Sequence, residues 1–182
     1  DRKVVLVSEW TTMLNLIESL LKKRKLNFVR LDGCVPQKKR QQLVQQFQTD
    51  SDCRLFLTSN AGSTGLNLQA ANTVINVDLP WNPAILEQRI ARAHRMGQKR
   101  SVQVYLLVTE GTLEENLLAT LSNKKELAMA VLDVDSDVDE VELRRVEDAV
   151  LVAQRKEQVA AAGGQMLTSA FQFLAELLPP TP

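Results

Sequence analysis

Residues 4–32, VVLVSEWTTMLNLIESLLKKRKLNFVRLD, read as a strand, a helix and a second strand. Val4-Val5-Leu6-Val7-Ser8 is a short apolar run without polar alternation, the pattern of a strand covered on both faces. Thr11 to Leu26 follows with Met13, Leu14, Ile17, Leu20 and Leu21 at helical spacing. Asn27 to Asp32 (NFVRLD) is the second strand. A strand, a crossover helix and another strand form a parallel unit, because a crossover of this length returns the chain in the same direction.

The alternation continues downstream. Pro36 to Phe47 reads as a helix with Leu43, Val44 and Phe47 on one face, and proline suits its first turn. Arg54–Ser59 (RLFLTS), Thr73–Asp78 (TVINVD) and Val102–Val108 (VQVYLLV) read as three further strands. Pro83 to His94 is helical between the last two. The fold class is α/β, with a mainly parallel sheet covered on both faces. Ligands of such sheets bind beyond the carboxyl ends of the strands. The loops Ser8–Thr11, Asp32–Pro36, Ser59–Leu68 and Asp78–Pro83 are therefore where a site belongs.

Beyond this unit, Thr112 to Leu132 reads as a helix capped by Thr112. Residues 133–142 carry six carboxylates and form an acidic linker. A charged helix from about Val141 to Ala162, the break Gly163-Gly164 and an apolar-rich helix from Met166 to Leu178 complete a helical C-terminal extension. The expected organisation is a lobe over 1–132, the linker over 133–142 and the extension over 143–182.

The 182 residues balance 22 Lys+Arg against 22 Asp+Glu, yet the two parts differ in sign. Residues 1–100 hold 16 Lys+Arg and 8 Asp+Glu; residues 101–182 hold 6 and 14. A basic first part points to a polyanionic partner, and a solvated uneven surface explains it equally well. No apolar run reaches the roughly 20 residues that a bilayer span needs, so no membrane partner is expected. The first residues lack the layout of a secretory signal. Two cysteines, Cys34 and Cys53, do not make a disulfide framework, and a reducing compartment is the simplest expectation.

Two segments carry candidate chemistry. In EQRIARAHRMGQ (Glu87–Gln98), Arg92 and Arg95 are three apart and share a face if the helix continues. Two guanidinium forks aimed at one spot suit a phosphate, with Gln88 beside them. A solvated basic face is the plainer reading of that spacing alone. In TSNAGSTGLNL (Thr58–Leu68), glycines and hydroxyl or amide side chains leave the end of a strand. Gly62 and Gly65 permit close backbone approach to a ligand, and they serve an ordinary turn as readily. His94 is the sole histidine and lacks companions for a metal site, so none is expected.

RLDG (Arg30–Gly33), the helix from Arg40 to Phe47, SNAGSTGLNL, DLPWNP (Asp78–Pro83) and EQRIARAHRMGQ occur in order and at matching spacing. Together they resemble the second RecA-like lobe of the Snf-two (SWI/SNF-type) family of DNA-dependent ATPases, within the superfamily-two helicases. The resemblance spans roughly residues 1–132 and implies a three-layer RecA-like lobe. DLPWNP followed by EQRI looks more like bacterial and archaeal members. That gives a nucleoid-associated cytoplasmic location, or a nuclear one in a eukaryote.

The resemblance implies roles residue by residue. Arg95 matches the arginine finger, Arg92 its γ-phosphate partner and Gln88 the motif glutamine that orders the cleft. Gly65 and Asn67 match the segment approaching the nucleotide sugar. Thr58, Ser59 and Ser8 match contacts to the DNA backbone. Trp81 matches an aromatic that links DNA engagement to ATP turnover. Glu9, Asn60 and Ser63 depart from the frequent glutamine, lysine and glycine at their positions.

The chain lacks a G-x-x-x-x-G-K-S/T phosphate loop. The family's first lobe supplies it, so ATP and Mg2+ are expected only in the complete two-lobe protein. The fragment is expected to be inactive alone, with double-stranded DNA and the N-terminal lobe as its partners. Two alternatives stand beside this: a non-catalytic DNA- or protein-docking module, and an unrelated α/β enzyme such as a nucleotide-sugar transferase.

Overall fold

The computed structural model describes residues 2–60, 65–95, 98, 100–109, 114, 117 and 140–146. Nine elements are seen: β1 (Val4–Val7), α1 (Thr11–Lys23), β2 (Phe28–Leu31), α2 (Gln37–Thr49), β3 (Leu55–Thr58), β4 (Thr73–Asn76), α3 (Pro83–Ile90), β5 (Gln103–Thr109) and β6 (Glu140–Val146). The strands form one sheet in the order β2-β3-β1-β4-β5-β6. Every pairing is parallel.

The sheet sorts its side chains by parity, as pleating requires. Val5, Val7, Phe56, Val74, Val104 and Leu106 point to one face, where Phe47 of α2 and Leu86 and Ile90 of α3 cover them. Val4, Leu6, Leu57, Ile75, Tyr105 and Leu107 point to the other, under Leu14, Ile17 and Leu21 of α1. Three layers result. Each fully buried Val, Leu, Ile or Phe contributes about 1.5–3 kcal/mol, which is why the apolar runs dictate the strands. Phe47 and Phe56 meet edge to face, with ring centroids 5.2 Å apart.

Helix ends depart from the sequence reading. The first helix stops at Lys23, short of Leu26. Lys25 adopts φ 57°, its N–H bonds to Lys22 O at 3.1 Å, and Leu26 N–H bonds to Leu21 O at 3.1 Å. This paired motif closes helices and normally carries glycine at the left-handed position. Lysine there is strained by its Cβ. Lys25→Gly should raise stability by about 1 kcal/mol, read as a higher urea midpoint at constant slope; an unchanged or lower midpoint would refute the strain. The second helix runs two residues past Phe47, to Thr49, with Pro36 just outside it as N-cap.

The helix expected over Pro83–His94 stops at Ile90. Its start is locally determined: Asn82 Oδ1 accepts from Ala84 N–H at 3.0 Å, and Pro83 occupies the first turn. Its end is not, because Arg92 O accepts Leu68 N–H at 2.9 Å, from a loop distant in sequence.

Residues 140–146 form a strand beside β5, from Gln103↔Glu140 to Thr109↔Val146, where a helix was expected from about Val141. Val141 and Leu143 alternate with charged residues, a period of two that the strand follows and charge content obscures. The rest of the expected linker and extension lies outside the described residues, as does the Thr112–Leu132 helix except at Glu114 and Leu117. Among the described residues no helix is long and apolar enough to cross a membrane.

Candidate functional site

Residues beyond the carboxyl ends of β1, β3 and β4 meet around the Asp78–Arg89 pair. Asp78 follows β4, and both of its oxygens accept Glu9 N–H, at 3.0 and 2.9 Å. Ser8 Oγ donates a short hydrogen bond to Asp78 Oδ2. Arg89 Nη2 closes an ion pair on Asp78 Oδ1 at 3.1 Å. The rest of that guanidinium is also engaged: Nη1 donates to Asp78 O at 2.8 Å and Nε donates to Asn60 Oδ1 at 2.8 Å. Arg89 has 0% exposure and is among the largest fully buried side chains of the described residues. Burial pushes its pKa down, and Asp78 pushes it back up.

A second constellation lies along the chain after α3. Leu68 N–H holds Arg92 O, Gln69 Nε2 donates to Arg95 O at 3.5 Å, and Gln98 N–H donates to Arg95 O at 2.9 Å. Gln98 Nε2 lies 3.0–3.1 Å from Gln69 O, Ala71 O and Ala93 O, and so stitches the two segments together. Residues 68–71 therefore lie against residues 92–95 and Gln98.

Arg92 is 8% exposed. Its Nε donates to Gln88 O at 3.0 Å, while Nη1 is buried without a protein partner. An unpaired buried donor costs about 1–3 kcal/mol. Burial first, and the neighbouring Arg89 cation second, lower the Arg92 pKa to about 10. It remains a cation at neutral pH, and an anion is the partner that would relieve it. Arg95 is exposed, as are Gln88 and Asn67. Gly65 has φ +73° and open space where a side chain would stand. Its backbone conformation calls for glycine, and the space would admit a ligand.

The expected sharing of a helix face by Arg92 and Arg95 does not arise, because both follow the end of α3. Ser8 and Thr58 are fully buried and Ser59 is nearly so. The Ser8 hydroxyl serves Asp78, and Thr58 Oγ1 donates to Leu31 O at 2.8 Å. The Ser8 and Thr58 hydroxyls thus serve the strand ends. Trp81 is 72% exposed and Trp10 is 66% exposed, both on loops at the carboxyl ends of adjacent strands.

The sequence motifs by themselves assign no role to Asp78, Arg89 or Gln98. A signal existed for Arg89: it lies between Leu86 and Ile90 on the apolar side of its helix.

The model for the helicase conserved C-terminal domain matches residues 1–97. The chain belongs to this family. Within the superfamily-two helicases the helicase C-terminal lobe is of Snf-two type. It is 48% identical over 133 residues to a DNA repair and recombination protein RAD54-like of Drosophila ananassae, covering 72% of this chain and 17% of that protein. It is 44% identical over 139 residues to the human RAD54-like protein, covering 75% and 19%. The crystal structure of the C-terminal part of the Fun30 ATPase domain superposes with a TM-score of 0.63 at 28% identity. That match covers 92% of this chain and 48% of that one. The helicase C-terminal lobe thus spans about a fifth of the curated relatives it matches.

Proposed function

We propose that the chain is the C-terminal motor lobe of an ATP-driven double-stranded-DNA translocase. One observation carries this reading: Arg92 is buried, charged and short of one partner. A nucleotide phosphate fits that vacancy in charge and donor geometry. Gly65 and Asn67 approach the sugar on this reading, and Gln88 orders the rim. Arg95, exposed at the end of the stitched segment, reaches the transferring phosphoryl group and offsets charge developing there. The companion N-terminal lobe supplies the phosphate cradle and the magnesium ligands. The motor lobe takes in residues 1–132 and gains β6 along its edge.

ATP closes the two lobes and hydrolysis reopens them, stepping the protein along DNA. Contacts to backbone phosphates make binding salt-dependent and largely blind to sequence. The relatives named above are from flies and human, which favours the nuclear location over the bacterial one.

Turnover of ATP by this chain alone, and by the chain joined to its upstream lobe, tests the reading with and without duplex DNA. DNA-stimulated activity only in the joined form supports a split motor site. Silence in both, with folded and associated lobes, favours the docking module. Trp81 adds a separate expectation. Because its indole is exposed, Trp81→Ala should leave stability within about 0.5 kcal/mol. Stimulation of turnover by DNA should fall several-fold in the joined form. Unchanged stimulation would remove Trp81 from the DNA-coupling path.

A further inference from the structure

Arg89 and Arg92 are three residues apart and differ in what they hold. Arg89 gives its guanidinium entirely to protein: Asn60 beyond β3, the carbonyl and carboxylate of Asp78 beyond β4, and a longer contact of 3.4 Å to Asn76 Oδ1. Through Asp78 it also reaches Ser8 and Glu9 beyond β1. One side chain therefore ties the last turn of α3 to three strand ends. Arg92 is anchored to that turn by a single bond, from Nε to Gln88 O, the carbonyl that immediately precedes Arg89.

We propose that Arg89 is a positioning residue for Arg92, clamping the turn that carries Gln88 and so fixing where the open Nη1 of Arg92 points. The proposal rests on reading Arg92 as a phosphate ligand. Two features support it. The clamp is rigid, since a buried forked guanidinium has one geometry that satisfies all its acceptors. Like charge between the two guanidinium groups also disfavours Arg92 turning back onto the Asp78 carboxylate, a site Arg89 already fills. Lysine at 89 would keep the charge but could not span Asn60, Asp78 O and Asp78 Oδ1 together.

The test is a double-mutant cycle in the full-length two-lobe protein, measuring DNA-stimulated ATP turnover. The variants are Arg89→Lys, Arg92→Ala and both together. Loss of about an ångström of placement costs up to about 100-fold in rate, so Arg89→Lys alone should lower kcat by at least about 10-fold. In the Arg92→Ala background the same change should lower it by less than about 2-fold, because the group being positioned is gone. A general loss of folded protein would instead scale both backgrounds equally, and equal scaling overturns the proposal. Arg92→Ala with unimpaired turnover defeats the phosphate-ligand reading itself, and the positioning role with it. If Arg89→Lys melts below the assay temperature, Asp78→Asn replaces it in the cycle, weakening the ion pair while keeping an acceptor for Glu9 N–H. The same pair of outcomes then decides.

Discussion

In the full-length parent, Arg95→Ala should lower DNA-stimulated kcat by about 1,000-fold, the low end of what an arginine finger contributes to phosphoryl transfer. Arg92→Ala should lower it by at least about 100-fold. The two losses should have opposite structural contexts. Arg95 is exposed and its backbone carbonyl is held by Gln69 and Gln98, so alanine there removes only the reaching side chain. Arg92 is buried with one guanidinium N–H group unpartnered, so the folded lobe carries a cation whose desolvation is poorly offset. Removing that cation should cost the lobe little stability, and Arg92→Met should leave it equal or higher. Activity lost while stability holds is the signature of a group kept for a ligand. Steady-state turnover and urea unfolding on the same variants read this out. An Arg92→Met lobe destabilised by more than about 2 kcal/mol would mark Arg92 as structural instead.

Asp78→Ala should destabilise the lobe by about 3–5 kcal/mol, the penalty for stripping a buried charge of its partner. Arg89 cannot escape to solvent from full burial, and its Nη2 would lose the ion pair. Ser8 Oγ and Glu9 N–H would lose their acceptor at the same time. Against a total stability of roughly 5–15 kcal/mol this is a large share. Arg89→Met should cost less than Asp78→Ala, because it removes the buried cation and leaves Asp78 with Ser8 and Glu9. Urea midpoints of the two variants of this chain compare them directly. A loss below about 1 kcal/mol for Asp78→Ala, or the reverse ranking, would show that the pair is not the keystone of the strand ends.

The strands were readable from residues 4–108 because runs such as VVLV and LFLT leave no face for water, and burial of those side chains dominates the energy. The start of α3 was readable for a local reason: Asn82 and Pro83 complete a cap within a few residues of each other. The motif residues were readable as a set, since their order and spacing survive without coordinates. Which of them face outward was not. Ser8 and Thr58 look like outward hydroxyls in sequence, and a carboxylate 70 residues on and a neighbouring strand turn them inward.

The ends of helices followed the same division. α3 ends at Ile90, and just beyond it the carbonyls of Arg92 and Ala93 are taken by Leu68 N–H and Gln98 Nε2. Likewise EVELRRV is compatible with helix or strand taken alone, and the parallel edge of β5 settles it as β6. Local chemistry therefore wrote the strands, the caps and the family signature into the residues themselves. The inward Ser8, the buried Arg89 and the unpartnered Arg92 depended on contacts between distant segments, because a hydrogen-bond partner tens of residues away leaves no local trace in composition or period.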